Sequence, residues 1–173
     1  MMQRLVSSLL AGVILFFVVD VLRAQESTFS DLRKMPRAID SGGFSFGKIL
    51  EYVHDPEVTP LAEDHSLRFE RKYHNFGAVT QAQRRAKRGH YFYINWHTKE
   101  RVSDVKVRFE YRQKNTKDKL YYLEIPFSDV KGWQKAVFEV VGDAYFSQGF
   151  VTSWRVMILQ GGQIMSERRS FIW

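Results

Sequence analysis

A chain of 173 residues that is 45% hydrophobic and 15% aromatic carries enough apolar side chain for one globular domain, and disorder throughout is excluded. The absence of cysteine rules out disulfides, thiolate zinc sites and a thiol nucleophile. A formal charge of +7 favours acidic surfaces, but it is not by itself the signature of a nucleic-acid binder, and no nucleic-acid partner is expected.

Residues 1–24 hold Arg4, then the apolar run Leu5 to Val19 broken only by Ser7 and Ser8, then Leu22-Arg23-Ala24 ahead of polar Gln25-Glu26-Ser27. A basic start, an apolar middle and a small residue at the end are the order of a secretory signal peptide, here with cleavage after Ala24. The alternative is a retained anchor: Leu5 to Leu22 is 18 residues, near the ~20 that a membrane span needs, although Asp20 lies inside it. On either reading the rest of the chain is periplasmic or extracellular, tethered to the membrane only if the segment stays.

Residues 25–65 contain three of the four prolines (Pro36, Pro56 and Pro60) and the pair Gly42-Gly43, the composition of a linker or partly ordered extension. Within it Phe44, Phe46, Ile49, Leu50 and Val53 could form a short strand or a helical turn docked on the domain. Too few positions are involved for periodicity to decide. His54-Asp55 and Glu63-Asp64-His65 read as solvated loop rather than as metal ligands, because no spacing brings two histidines to one site.

Residues 66–173 form the predicted domain. Short apolar runs separated by turn signals place strands near 67–73, 90–98, 104–113, 119–127, 135–141, 151–159 and 163–171. The clearest has Val105, Val107, Phe109 and Tyr111 alternating with Lys106, Arg108, Glu110 and Arg112, one dry face and one wet. Gly161-Gly162 supplies positive φ at both centres of a type I′ turn, so the last two strands pair as a hairpin. That hairpin needs further strands and a facing layer to bury Trp154, Val156, Ile158 and Phe171. The expected fold is all-β, a seven-stranded antiparallel Greek-key sandwich. A membrane barrel is excluded, since Glu167 and Arg169 share the alternation of Phe171 and would meet lipid.

Phe92-Tyr93-Ile94-Asn95-Trp96, followed by Val105-Lys106-Val107-Arg108-Phe109-Glu110-Tyr111-Arg112, resembles the second and third strands of a fibronectin type III-like or immunoglobulin-like domain, in which a tryptophan of the second strand packs beneath the third. His97-Thr98 replaces the prolines that usually follow, and Trp154 stands where a penultimate-strand tyrosine is usual. The Trp154-Arg155-Val156 opening and the Ser170-Phe171-Ile172-Trp173 ending resemble those of exported bacterial proteins. The likeness implies an architecture and no activity, because sandwiches host unrelated functions.

No Gly-x-Ser-x-Gly, His-Glu-x-x-His or phosphate-binding glycine loop is present, so neither an enzyme nor a cofactor is expected. His90 and His97 are too far apart along one strand, at ~3.3 Å per residue, to share a metal. Three groups of candidate contacts stand out. Arg84, Arg85, Lys87 and Arg88 form a solvated loop or a docking site for polyanions. Tyr91 and Tyr93 point away from Phe92, Ile94 and Trp96; they make a polar-tipped aromatic strip, unless the segment around Phe44 to Val53 covers them. Trp133, beside Lys131-Gly132, is a further contact or a cap on the core. The expected role is an exported, non-enzymatic interaction domain of the cell envelope that binds a protein partner. The alternative is a carbohydrate- or polyanion-binding module using the same aromatics and basic loop.

Overall fold

The computed structural model describes residues 25–26, 43–55 and 77–173. The leader expected at 1–24 and the strand expected at 67–73 lie outside the described residues. Eight strands follow in chain order: β1 (Gln25–Glu26), β2 (Phe44–His54), β3 (Gly89–Val102), β4 (Val105–Gln113), β5 (Tyr121–Phe127), β6 (Val130–Val141), β7 (Val151–Gln160) and β8 (Gln163–Arg169). Helix α1 (Gln81–Ala86) precedes β3, and α2 (Gly142–Gln148) joins β6 to β7. The strands form two antiparallel sheets, ordered β1-β5-β4-β7-β8 and β2-β3-β6. Because β3 pairs with β6 while β4 pairs with β7, the chain alternates between sheets in a Greek key. Leaving aside the two-residue β1, seven strands divided three and four build the immunoglobulin-like, fibronectin type III-like sandwich that the sequence implies.

The alternation read in the sequence decides what lies inside. Phe92, Ile94 and Trp96 of β3 and Val107 and Phe109 of β4 are fully buried, as are Phe138 of β6 and Val156 and Ile158 of β7. Phe109 joins the layers, with its ring centroid 4.6 Å from that of Phe92 and 5.1 Å from that of Phe138. Such offset aromatic pairs add to what burial alone contributes. The final hairpin turns as expected, with φ of 56° at Gly161 and 76° at Gly162, and pairs Gln160 with Gln163.

Several expectations are corrected. The segment from Phe44 resolves as a strand, and a register shift between Phe46 and Ile49 lets Phe46 face Trp96 while Ile49 faces Ile94. The sandwich thus takes one of its strands from the stretch ahead of residue 66. His54 and Asp55 are buried rather than solvated: Asp55 pairs with Arg88 and accepts the Tyr145 hydroxyl at 3.0 Å. Phe171 is fully exposed, because β8 ends at Arg169 and the Ser170 hydroxyl accepts from the Trp154 amide at 3.0 Å, turning the chain off the sheet. The C-terminal Trp173 ring instead lies 4.4 Å beneath the Arg112 guanidinium. Neither helix was expected. In α2 the buried Tyr145 caps the end of the core, and Gln113 donates to the carbonyls of Ala144 and Gly149 at 3.1 and 2.7 Å, fixing the crossing between sheets.

On the outer side of the larger sheet, Glu110 is fully buried between two arginines. Arg108 Nε donates to it at 2.8 Å, and Arg155 donates through Nε at 3.0 Å and Nη2 at 2.6 Å. At the other edge of the sandwich Glu51 joins the two sheets: its carboxylate lies 2.9 Å from His90 Nε2 of β3 and accepts from Trp154 Nε1 of β7 at 3.1 Å. The hydrogen bond with His90 holds the Glu51 carboxyl below its ordinary pKa, outweighing the upward push of its partial burial, with a smaller contribution from Trp154. A folded pKa below the unfolded one means that Glu51 stabilises the fold fully above the ordinary glutamate value of about 4.3, and that this contribution fades as pH falls through the folded value. Denaturation of Glu51→Gln beside the wild type should therefore show a wild-type advantage at neutral pH that shrinks steadily as the solution is acidified below the ordinary glutamate range.

Candidate functional site

Pairing of β2 with β3 and β3 with β6 gives the three-stranded sheet an outer face built row by row. Tyr52, Tyr91 and Glu139 make one row, and Leu50, Tyr93 and Val137 the next; Asn95 pairs with Lys135, and His97 lies between Ser45 and Trp133. Tyr91 and Tyr93 do point away from Trp96, but only part of the expected strip is open. Tyr91 is buried: its hydroxyl donates to the Lys87 carbonyl, and the Tyr52 and His54 rings lie 6.5 Å away. Burial, together with the nearby Glu139 carboxylate, pushes the Tyr91 hydroxyl well above the usual tyrosine range. Tyr91 is thus a structural residue beneath the start of β3, covered in part by β2. Tyr93 is half-buried, with the Lys135 ammonium 4.9 Å above its ring.

Trp133 caps nothing in the core. It is 66% exposed and lies against the outer face. From β6 the indole reaches across β3 to β2, about two strand spacings of ~4.8 Å each. A Cβ on Gly47 would stand 2.7 Å from its Cζ3, so the ring occupies the space that a side chain at Gly47 would fill. The His97 ring, 5.1 Å away and tilted by 58°, braces it. The largely exposed indole thus reaches over Gly47, beside a groove of about 490 Å³ lined by Lys48, Asn95, Trp133, Gln134 and Lys135.

The basic cluster is a helix and its exit rather than a loop. Thr80 Oγ1 accepts from the Gln83 amide at 3.2 Å while Gln83 Oε1 accepts from the Thr80 amide at 3.0 Å, a reciprocal cap that starts α1. Arg84 and Arg85 lie exposed on the helix, and the Arg85 guanidinium stacks 3.7 Å over Phe146 of α2. Lys87 is the C-terminal cap. Arg88 is committed to Asp55, so the cluster presents fewer outward charges than its sequence suggests.

Sequence reasoning identified Tyr93 and Trp133 separately and missed Lys48, Asn95 and Lys135, which the sheet brings beside them. The alternation Tyr93, Asn95, His97 was a signal for one of these three. Nothing local to β2 or β6 signalled the others.

No protein-family model matches the chain, and no curated protein does. Among solved structures it is similar to a protein from Akkermansia muciniphila (13% identity, TM-score 0.44, covering 73% of this chain and 69% of that one). It is also similar to an immunoglobulin-like protein from Pseudomonas aeruginosa (14% identity, TM-score 0.36, covering 73% of this chain and 93% of that one). The class of fold, an immunoglobulin-like β-sandwich, follows from the strand order itself. No helix among the described residues is long and apolar enough to cross a membrane.

Proposed function

We propose that the chain is a non-enzymatic recognition domain of the cell envelope, exported by residues 1–24, whose contact surface is the outer face of the β2-β3-β6 sheet. The observation that carries this is the exposed, braced indole of Trp133. Large aromatics held rigid at a surface lose little entropy on binding and supply much of the contact energy at recognition sites. The proposal keeps the basic helix as an accessory that draws the domain to anionic surfaces, through Arg84 and Arg85 with Lys87 nearby.

Protein isolated from the envelope fraction should begin at or near Gln25. Trp133→Ala should fold with a stability within ~0.5 kcal/mol of the wild type, since exposed side chains contribute little, yet retain far less envelope material when immobilised. Equal capture by the two proteins overturns the assignment of this face. A second reading is favoured by the position of β6 at the end of its sheet, where its outer edge has no strand partner among the described residues. A protein partner could add a strand there. That reading expects hydrogen-exchange protection along Val130–Val141 on binding, and capture that Trp133→Ala leaves unchanged.

A further inference from the structure

The groove beside Trp133 carries a chemical bias beyond its aromatic floor. Lys48, on β2, and Lys135, on β6, are both exposed and line it from opposite sides of Asn95. No carboxylate lines it, and neither lysine has an ion-pair partner among the described residues. Asn95 adds an amide donor and acceptor between the charges, and Gln134, whose amide nitrogen donates to the Lys131 carbonyl at 3.1 Å, adds a carbonyl acceptor beside Lys135. A ligand that fits must offer a flat apolar face to the indole, hydroxyls to the amides, and negative charge at the rim. Tyrosine offers a flat face and a hydroxyl but no charge at neutral pH, and aspartate and glutamate offer the charge without a ring, whereas one uronic-acid unit carries all three.

We infer that this groove binds an acidic polysaccharide of uronic-acid type. This rests on the reading of the Trp133 face as the contact surface, and it names the ligand class. The C–H face of one pyranose stacks on Trp133. Because a uronic acid carries its carboxylate on the ring itself, the charge falls at the ring edge, within the field of Lys48 or Lys135. The groove, at about 490 Å³, has the size of sites that hold small ligands. Gly47 is a positioning residue: its missing side chain leaves the space that the edge of the indole occupies.

The test uses the folded chain from Gln25 onward, with binding followed by calorimetry to four probes: oligogalacturonate, its methyl ester, a neutral galactan, and poly-glutamate as a charged chain without sugar rings. Oligogalacturonate should bind, with the methyl ester and galactan at least about tenfold weaker. Trp133→Ala should weaken binding about tenfold or more, the scale of losing a central aromatic anchor. Lys48→Gln with Lys135→Gln should weaken it and flatten its salt dependence. Gly47→Ala should weaken it with little change in stability, because the far end of the indole can move away from the new methyl group.

Equal binding of the neutral and acidic sugars, lost in Trp133→Ala, overturns the acidic class while leaving the contact face standing. Binding of poly-glutamate as tight as that of oligogalacturonate overturns the sugar. If none of the probes binds, the inference fails, and capture dependent on Trp133 still decides the broader reading. Equal binding of oligogalacturonate by the wild type and Trp133→Ala overturns both.

Discussion

Trp96→Ala should lower the free energy of unfolding by ~3–5 kcal/mol, the range for removing a buried large aromatic, and so take a large share of the ~5–15 kcal/mol that holds a typical domain. The side chain is fully buried on the central strand of the β2-β3-β6 sheet. It lies stacked 6.3 Å from Phe44 of β2 and edge-on, at 5.1 Å, to Phe127 of β5, so it touches both layers. Alanine would leave a cavity between sheets that cannot close without moving a strand. Trp96→Phe should cost less, because the indole N–H has no acceptor among the described residues and phenylalanine leaves no polar group behind. Urea denaturation checks both variants: the midpoint falls and the slope stays. A midpoint unchanged in Trp96→Ala would overturn the assignment of the inner face.

Glu110→Ala should cost a similar ~3–5 kcal/mol for a different reason. The carboxylate is fully buried and holds two guanidiniums, those of Arg108 and Arg155. Removing it leaves two positive charges close together in a poorly solvated place. Arg108 retains Glu124 at 3.1 Å and a place over the Tyr122 ring, and Arg155 retains Glu167 only at 3.7 Å, so neither is fully compensated. Glu110→Gln keeps an acceptor but not the charge, and should fall between wild type and alanine. A cycle of Glu110→Ala with Arg155→Ala should be strongly non-additive, since the second change relieves part of the first. Additive costs would show that the pair is not coupled.

The parts legible in the sequence are those in which local alternation and burial agree. On β4, Val105, Val107, Phe109 and Tyr111 go inward as read, and on β3 so do Phe92, Ile94 and Trp96. The pattern of β2 does not separate a strand from a helical turn, because its register shift changes the spacing of its inward positions from two residues to three, which breaks the alternation. Tyr91 lies on the side expected to be wet and is nonetheless buried, by Tyr52 and by the backbone at the end of α1. Those partners are set by pairing between distant segments, which no local pattern carries. Helix α1 does carry a local signature, Thr80 with Gln83 three residues on, but the helix that follows is only six residues long and buries no side chain, so it has no apolar periodicity to read. Trp133 shows the same division: its exposure could be argued from its turn, but its rest on Gly47 depends on β2 lying two strands away.

The order of strands also sets when this molecule can become itself. β3 is flanked by β2, which precedes it, and by β6, which is synthesised only after β4 and β5. β4 waits in the same way for β7. A ribosome releasing the chain therefore delivers Phe92, Ile94 and Trp96 before the facing layer is complete, since β4 follows at once but β7 comes much later, and no early stopping point leaves a closed core. Pairing between distant segments is slow to form, and although β2 and β3 can pair earlier, the sheets cannot be completed until β6 and β7 are free. If residues 1–24 direct export as proposed, that delay suits a chain that must cross a membrane before it folds.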